Sequence, residues 1–143
     1  MVILGIDPGS RKAGLAVIRC EGRSLSYVAS GVMTFHHIDN FVDRLGVVYK
    51  ECESLIQRYN PDVISIESLI YAKSVTALAK LAQARGAMIA AFMQTHQGKV
   101  FEYSPSLVKS SVSGHGQADK EGVDKALGMI FGNVRSWAEH TMT

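Results

Sequence analysis

The chain has 143 residues, of which 47% are hydrophobic and 20% charged, and its formal net charge is +2. This length and composition predict one domain, spanning residues 1–143, with a real hydrophobic core, and they argue against a disordered chain. No apolar run approaches a membrane span, the first residues lack a secretory pattern, and the two cysteines have no disulfide or metal spacing. We therefore expect a cytoplasmic protein.

The first third of the chain has the pattern of three strands. Val2–Asp7 is apolar and ends in an acid, and short turns separate it from Gly14–Arg19 and Leu25–Phe35. Short strands joined by tight turns that contain glycine predict an antiparallel meander.

A helix and a strand follow. The helix is predicted over Ile38–Tyr59, where apolar residues recur at spacings of four and three, and Asn60-Pro61 should end it. Asp62–Glu67 is so uniformly apolar that we expect an interior strand covered on both faces.

A second helix is predicted from Ser74 to His96, with two apolar faces. We expect the first face to cover the sheet and the second to be a candidate subunit contact; alternatively, both faces are buried within one subunit. The first face consists of Val75, Leu78, Ala82, Gly86, Ile89 and Met93, and the second of Leu81, Ala84, Met88 and Phe92.

The remaining pattern completes an α/β fold. A short strand is predicted over Lys99–Tyr103, a helix beginning at Ser104-Pro105, and a last helix over Asp119–Ile130 after a glycine-rich loop. These elements make a mixed five-stranded sheet, three antiparallel strands followed by parallel ones, with helices on both faces.

Two apolar strands each end in a carboxylate, at Asp7 and at Glu67. If these strands lie side by side, the two acids converge and form a site for a hard divalent ion such as Mg²⁺. Asp7 alone, before Pro8-Gly9, could equally be the cap of a turn. The pairing of the acids with two buried strands favours the metal site.

Several short blocks resemble the RuvC-type Holliday junction resolvases and follow one another in that family's order over most of the chain. The blocks are Gly5-Ile6-Asp7-Pro8-Gly9-Ser10, Ile66-Glu67-Ser68, Ala72-Lys73-Ser74, Gln83-Ala84-Arg85-Gly86, Phe101-Glu102-Tyr103, Val108-Lys109 and Gly114-His115-Gly116-Gln117-Ala118-Asp119-Lys120.

The resemblance implies an RNase H-like fold and a homodimer that cleaves four-way DNA junctions with two Mg²⁺ ions, for which Mn²⁺ can substitute. Asp7 and Glu67 would be the catalytic metal ligands, and Lys109 and Lys120 would face the cleaved strand. The family's stacking aromatic residue falls at Ile70-Tyr71, and Tyr71 is expected to take this role, one residue later than the family pattern. The expected partner is the branch-migration motor of the same pathway.

The C-terminal part departs from the family pattern. The family's final acid pair, an Asp-x-x-Asp-Ala run that opens the last helix, is absent, and nothing after Ile130 aligns with it. We expect that the C-terminal helix is missing or altered after about residue 131. His140 either replaces one of the acids, as in some relatives, or is a frayed terminal residue.

Three functions stay open from the sequence. The first is a Mg²⁺-dependent junction endonuclease, impaired by the missing acids; the second is a non-catalytic junction-binding protein; the third is a nuclease for RNA or single strands. Basic residues that could contact the DNA arms are Arg11, Lys12, Lys73, Lys80 and Arg85.

Overall fold

A computed structural model describes residues 1–68 and 73–103 of the chain. In these ranges five strands form one sheet in the order β3-β2-β1-β4-β5. The bounds are β1 Val2–Asp7, β2 Lys12–Glu21, β3 Ser24–Thr34, α1 Phe41–Tyr59, β4 Val63–Glu67, α2 Val75–Met93 and β5 Val100–Tyr103.

The sheet is mixed, as the sequence predicts. β1 and β2 pair antiparallel, as do β2 and β3, whereas β4 runs parallel to β1 and β5 runs parallel to β4. β1 therefore lies at the centre of the sheet, and β4 is an interior strand beside it. The predicted α/β fold with its mixed five-stranded sheet is confirmed.

Helix α1 begins at Phe41, later than the predicted Ile38, because Asn40 caps it. The Asn40 side chain accepts a hydrogen bond from the Asp43 N–H at 2.9 Å, which satisfies one of the unpaired donors of the first turn. At the other end, Asn60 adopts a left-handed conformation (φ 44°) and closes the helix before Pro61.

Both helices pack on the same face of the sheet. The alternate residues Leu4 and Ile6 of β1 and Ile64 and Ile66 of β4 are buried there. They join one core with residues of α1 and α2, namely Val48, Cys52, Leu55, Met88, Ala91 and Phe92. The helices predicted after Tyr103 lie outside the described residues.

The expected orientation of α2 is wrong. Ala84, Met88, Ala91 and Phe92 are buried against the sheet, whereas Val75, on the face predicted to cover it, is 83% exposed. Leu78 and Met93 of that same face are also exposed. The face with Met88 and Phe92 packs against the sheet because it offers large side chains, whereas the other face includes the small residues Ala82 and Gly86. The free energy gained on burial scales with apolar area. The outer face of α2 therefore carries the exposed apolar residues.

A buried histidine fixes the end of α2 to the start of β4. The His96 ring Nε2 lies 2.7 Å from the Pro61 carbonyl oxygen, and His96 is 7% exposed. The contact anchors the chain segment that leads into the strand carrying Glu67. No helix in residues 1–68 and 73–103 has the length and apolar character needed to cross a membrane.

Candidate active site

The parallel pairing of β1 with β4 brings Asp7 and Glu67 to the same end of the sheet. Ile6 lies opposite Ile66 in the register, and each strand ends on its acid one residue later. Because Ile6 and Ile66 are buried on the helix side, the alternation of a strand directs Asp7 and Glu67 to the other face. The two carboxylates are thus neighbours on one face, as the interpretation of a shared metal ion requires.

Among the residues that the structure describes, the surroundings of Asp7 leave its carboxylate available. Asp7 is exposed and lies opposite Gly14, where a Cβ would stand 3.6 Å from the Cβ of Asp7. Among the described residues no backbone N–H donates to the Asp7 carboxylate, so it does not cap the turn that follows. The turn-cap alternative therefore has no contact to support it.

The turn after Asp7 is tightly constrained. A Cβ on Gly9 would lie 1.9 Å from the Lys12 carbonyl oxygen, so only glycine fits at that position. Arg44 of α1, which is 8% exposed, donates from Nη2 to the Ile38 carbonyl at 2.8 Å and from Nη1 to the Ser10 carbonyl at 3.3 Å. The helix thereby holds the loop that follows Asp7.

Helix α2, which packs on the same face of the sheet as α1, holds the end of β4. The Arg85 Nε donates to the backbone carbonyl of Glu67 at 3.0 Å, and its Nη2 forms an ion pair with Glu102 of β5 at 2.5 Å. The Ser68 N–H also donates to the Tyr103 carbonyl at 2.6 Å, which joins β4 to β5 at this level.

Arg85, which the sequence suggested as a contact to the DNA arms, is mostly buried. Its side chain is only 14% exposed, and both of its acceptors belong to the sheet. The signal was present but weak: Arg85 directly follows Ala84 on the buried face of α2. The pattern of apolar residues cannot show that a guanidinium at the border of that face points inward.

The other predicted site residues divide into two groups. Arg11 and Lys12 are exposed shortly after the end of β1, and Lys73 is exposed just before α2. The Lys80 Nζ lies 5.7 Å from the centre of the Phe41 ring. The remaining residues lie outside the described ranges, and they are Lys109, Lys120, Tyr71, Ile70 and His140.

The donor set suits a hard divalent cation. Asp7 and Glu67 supply carboxylate oxygens, the ligands that Mg²⁺ prefers, and Mg²⁺ keeps several of its waters, so few protein ligands are needed. No group of three or more His, Cys, Asp or Glu residues converges in the part of the chain that the structure describes. The described residues therefore fit a partial ligand set.

Comparisons with known proteins place the chain in a family. The family model described as crossover junction endodeoxyribonuclease RuvC matches residues 3–136. The RuvC protein of Pelodictyon phaeoclathratiforme is 41% identical over 86% of this chain and 64% of its own length. That of Pasteurella multocida is 45% identical over 83% of this chain and 62% of its own length. The chain thus spans slightly under two thirds of these relatives.

Two solved structures share the fold of this chain. The chain is similar to Thermus thermophilus RuvC in complex with a Holliday junction substrate, with a TM-score of 0.83, 27% identity, and coverage of 95% of this chain and 82% of that one. The yeast mitochondrial Holliday junction resolvase Ydc2 shares the fold, with a TM-score of 0.66 at 14% identity over 94% of this chain and 67% of that one. The family model, the relatives and the paired carboxylates agree: this chain belongs to the RuvC family of crossover junction endodeoxyribonucleases.

Proposed function

We propose that this protein cleaves four-way DNA junctions by metal-dependent hydrolysis of a phosphodiester, with Asp7 and Glu67 as its catalytic carboxylates. The observation that carries the proposal is the pairing of Ile6 with Ile66, which ends two neighbouring parallel strands on two acids. In a member of the RuvC family, this end of the sheet is the natural place for the reaction.

The chemistry follows from the charge that develops on the phosphate. Asp7 and Glu67 would hold Mg²⁺, or Mn²⁺ in its place, and a pair of such ions supplies charge neutralisation and an acidified water when bound. Asp7, which is exposed beside Gly14, and Glu67 would supply the carboxylate oxygens that hold these ions. With Asp7 and Glu67 as the whole ligand set, at least one ion would bind weakly and cleavage would be slow.

The DNA contacts remain proposals. Lys109 and Lys120 would neutralise phosphates near the cleaved bond, and Tyr71, or Ile70 in its place, would stack on an unpaired base. Arg11 and Lys73, which are both exposed, are more available for phosphate contacts than Arg85, whose side chain is only 14% exposed. The branch-migration motor as partner is expected from the family alone, whereas the cytoplasm as location is expected from the cysteine usage of the sequence.

A homodimer is supported by the outer face of α2. Val75, Leu78 and Met93 on that face are exposed apolar residues, and the helical spacing puts them on one stripe. Two copies joined through this stripe would present two sites related by a two-fold axis, which matches the symmetry of a four-way junction. The face expected to cover the sheet is thus the better candidate for the subunit contact.

A second candidate function is junction binding without cleavage. The observation that favours it is that residues 1–68 and 73–103 bring together no group of three or more His, Cys, Asp or Glu residues. Such a protein would still recognise the shape of the junction through its basic residues and would lack only the full metal site.

A nicking assay on a synthetic four-way junction separates the two candidates. With Mg²⁺ or Mn²⁺ the nuclease is expected to nick the junction, and Asp7→Asn or Glu67→Gln should abolish nicking while leaving junction binding in EDTA intact. Binding without nicking by the unmodified chain would select the second candidate. Linear duplex, single-stranded DNA and RNA serve as competitors that test the substrate class.

A further inference from the structure

We infer that Arg85 is a positioning residue of the metal site, which holds the backbone of Glu67 in place of a hydrogen bond that the sheet cannot make. The inference rests on the proposed function, because it requires Glu67 to be a metal ligand. It assigns to Arg85 a role through Glu67 instead of a contact with DNA.

The missing hydrogen bond follows from the register of the sheet. Ser68 directs its N–H toward β5, so by alternation along the strand the carbonyl of Glu67 faces β1. With Ile6 opposite Ile66, the parallel ladder would give this carbonyl the N–H of residue 8 as its donor. Residue 8 is proline, which has no N–H. The turn that shapes the Asp7 end of β1 thus removes a donor from the Glu67 end of β4.

Arg85 supplies the replacement donor. Its Nε lies 3.0 Å from the Glu67 carbonyl oxygen, a normal hydrogen-bond length. A partly buried carbonyl left without a donor would be costly, and a charged donor forms a stronger bond than a neutral amide. The residue therefore stabilises the backbone conformation from which the Glu67 carboxylate projects.

The other half of the guanidinium binds the neighbouring strand. Nη2 is paired with Glu102 of β5, so the rigid fork spans the ends of β4 and β5. With two acceptors taken and 14% of the side chain exposed, Arg85 has little capacity for a phosphate contact. The charge of Arg85 also lies behind the sheet, on the side of α2, whereas the carboxylates project from the other face.

The test is Mn²⁺ binding by the full chain without DNA, measured from the free-ion signal in electron paramagnetic resonance. Arg85→Met removes both hydrogen bonds and keeps most of the side-chain volume. We expect it to weaken Mn²⁺ binding about 10-fold, the lower end of the effect of losing a group that supports a metal ligand. Junction binding in EDTA should stay at the wild-type level, because a positioning role does not involve the DNA.

Three variants complete the design. Arg85→Lys supplies one ammonium that cannot hold both acceptors, so it should show a smaller loss of Mn²⁺ affinity in the same direction. Glu102→Gln removes the ion pair but leaves the bond to Glu67, and it should bind Mn²⁺ nearly as the wild type does. Arg58→Met, on the exposed last turn of α1, is the matched control for the loss of an arginine and should change nothing.

The outcomes separate this inference from the proposed function. Wild-type Mn²⁺ affinity in both folded Arg85 variants, or a loss in Glu102→Gln as large as in Arg85→Met, would overturn the inference. If the Arg85 variants bound the junction more weakly in EDTA, and the slope of log affinity against log salt fell by about 1, Arg85 would contact a phosphate and the inference would be wrong. If instead the unmodified chain binds no Mn²⁺, or binds it equally well as Asp7→Asn, the proposed metal site itself fails.

Discussion

At the scale of single residues, the turn after Asp7 depends on the absence of a side chain at Gly9. An added Cβ would stand 1.9 Å from the Lys12 carbonyl oxygen, a distance at which the backbone must move. We expect Gly9→Ala to lower the free energy of unfolding by about 1–3 kcal/mol and to weaken metal binding at Asp7. Chemical denaturation and Mn²⁺ titration measure the two effects.

Gly46 is the matched control for this substitution. It lies inside α1, and a Cβ there would meet no atom within 4 Å. Gly46→Ala should raise the free energy of unfolding by about 0.5–1 kcal/mol, because alanine loses less backbone entropy in a helix. A destabilised Gly46→Ala protein, or a Gly9→Ala protein that keeps wild-type stability, would contradict this view of the turn.

Cys52 is a buried core residue whose pKa is shifted strongly. Burial, and then the charge of Glu51, raise the pKa of its thiol from 9.0 to about 12. At pH 8 only about 10⁻⁴ of the thiol is then ionised, so a thiol reagent should modify Cys52 only after unfolding. The folded pKa lies above the unfolded one, so this thiol's contribution to stability is complete below pH 9 and is lost as the pH rises toward 12.

Labelling measures this prediction directly. Under native conditions at pH 8 a disulfide reagent should react with the partly buried Cys20 much faster than with Cys52, and denaturant should make both equally reactive. Comparable native rates at the two cysteines would mean that the helix α1 opens readily or that Cys52 is not in the core.

At the scale of the elements, the strands could be predicted well and the helix faces poorly. The bounds of β1 match the prediction, and those of β4 differ by one residue, because buried strands have an unbroken apolar pattern that turn residues delimit. In α2 apolar residues occur all round the helix, so periodicity could not decide which face is buried. The convergence of Asp7 and Glu67 needed only strand order, whereas the contact of Arg85 needed the packing of α2 on the sheet.

Positions 8 and 85 should be coupled, because the Glu67 carbonyl accepts from Arg85 in place of the N–H that residue 8 would supply in the ladder. We call this carbonyl the shared acceptor. Pro8→Ala restores an N–H where the ladder would place a donor for Glu67, so the loss of Arg85 should matter less in that background. We expect the drop in unfolding free energy from Arg85→Met to be about 1 kcal/mol smaller when residue 8 is alanine. The measurement is a double-mutant cycle by urea denaturation, and equal losses in both backgrounds would refute the shared acceptor.

At the scale of the whole molecule, the outer face of α2 is the proposed dimer contact. Leu78→Glu places a charge in that face without touching the core, since Leu78 is 37% exposed. We expect the substitution to convert the dimer to a monomer, because a buried unpaired carboxylate is strongly unfavourable at an apolar interface. Light scattering after gel filtration gives the mass, and Val42→Glu on the exposed side of α1 is the control. A monomeric wild type, or a dimeric Leu78→Glu protein, would contradict the assignment.

The central claim is that Asp7 and Glu67 share a divalent ion at the end of two parallel strands. The most direct measurement is Mn²⁺ binding by the wild type, by Asp7→Asn, by Glu67→Gln and by the double variant. If the carboxylates act on one ion, each single variant should lose most of the affinity, and the double variant should lose little more. Affinity that survives either substitution unchanged, or losses that simply add, would mean that the two acids do not form one site.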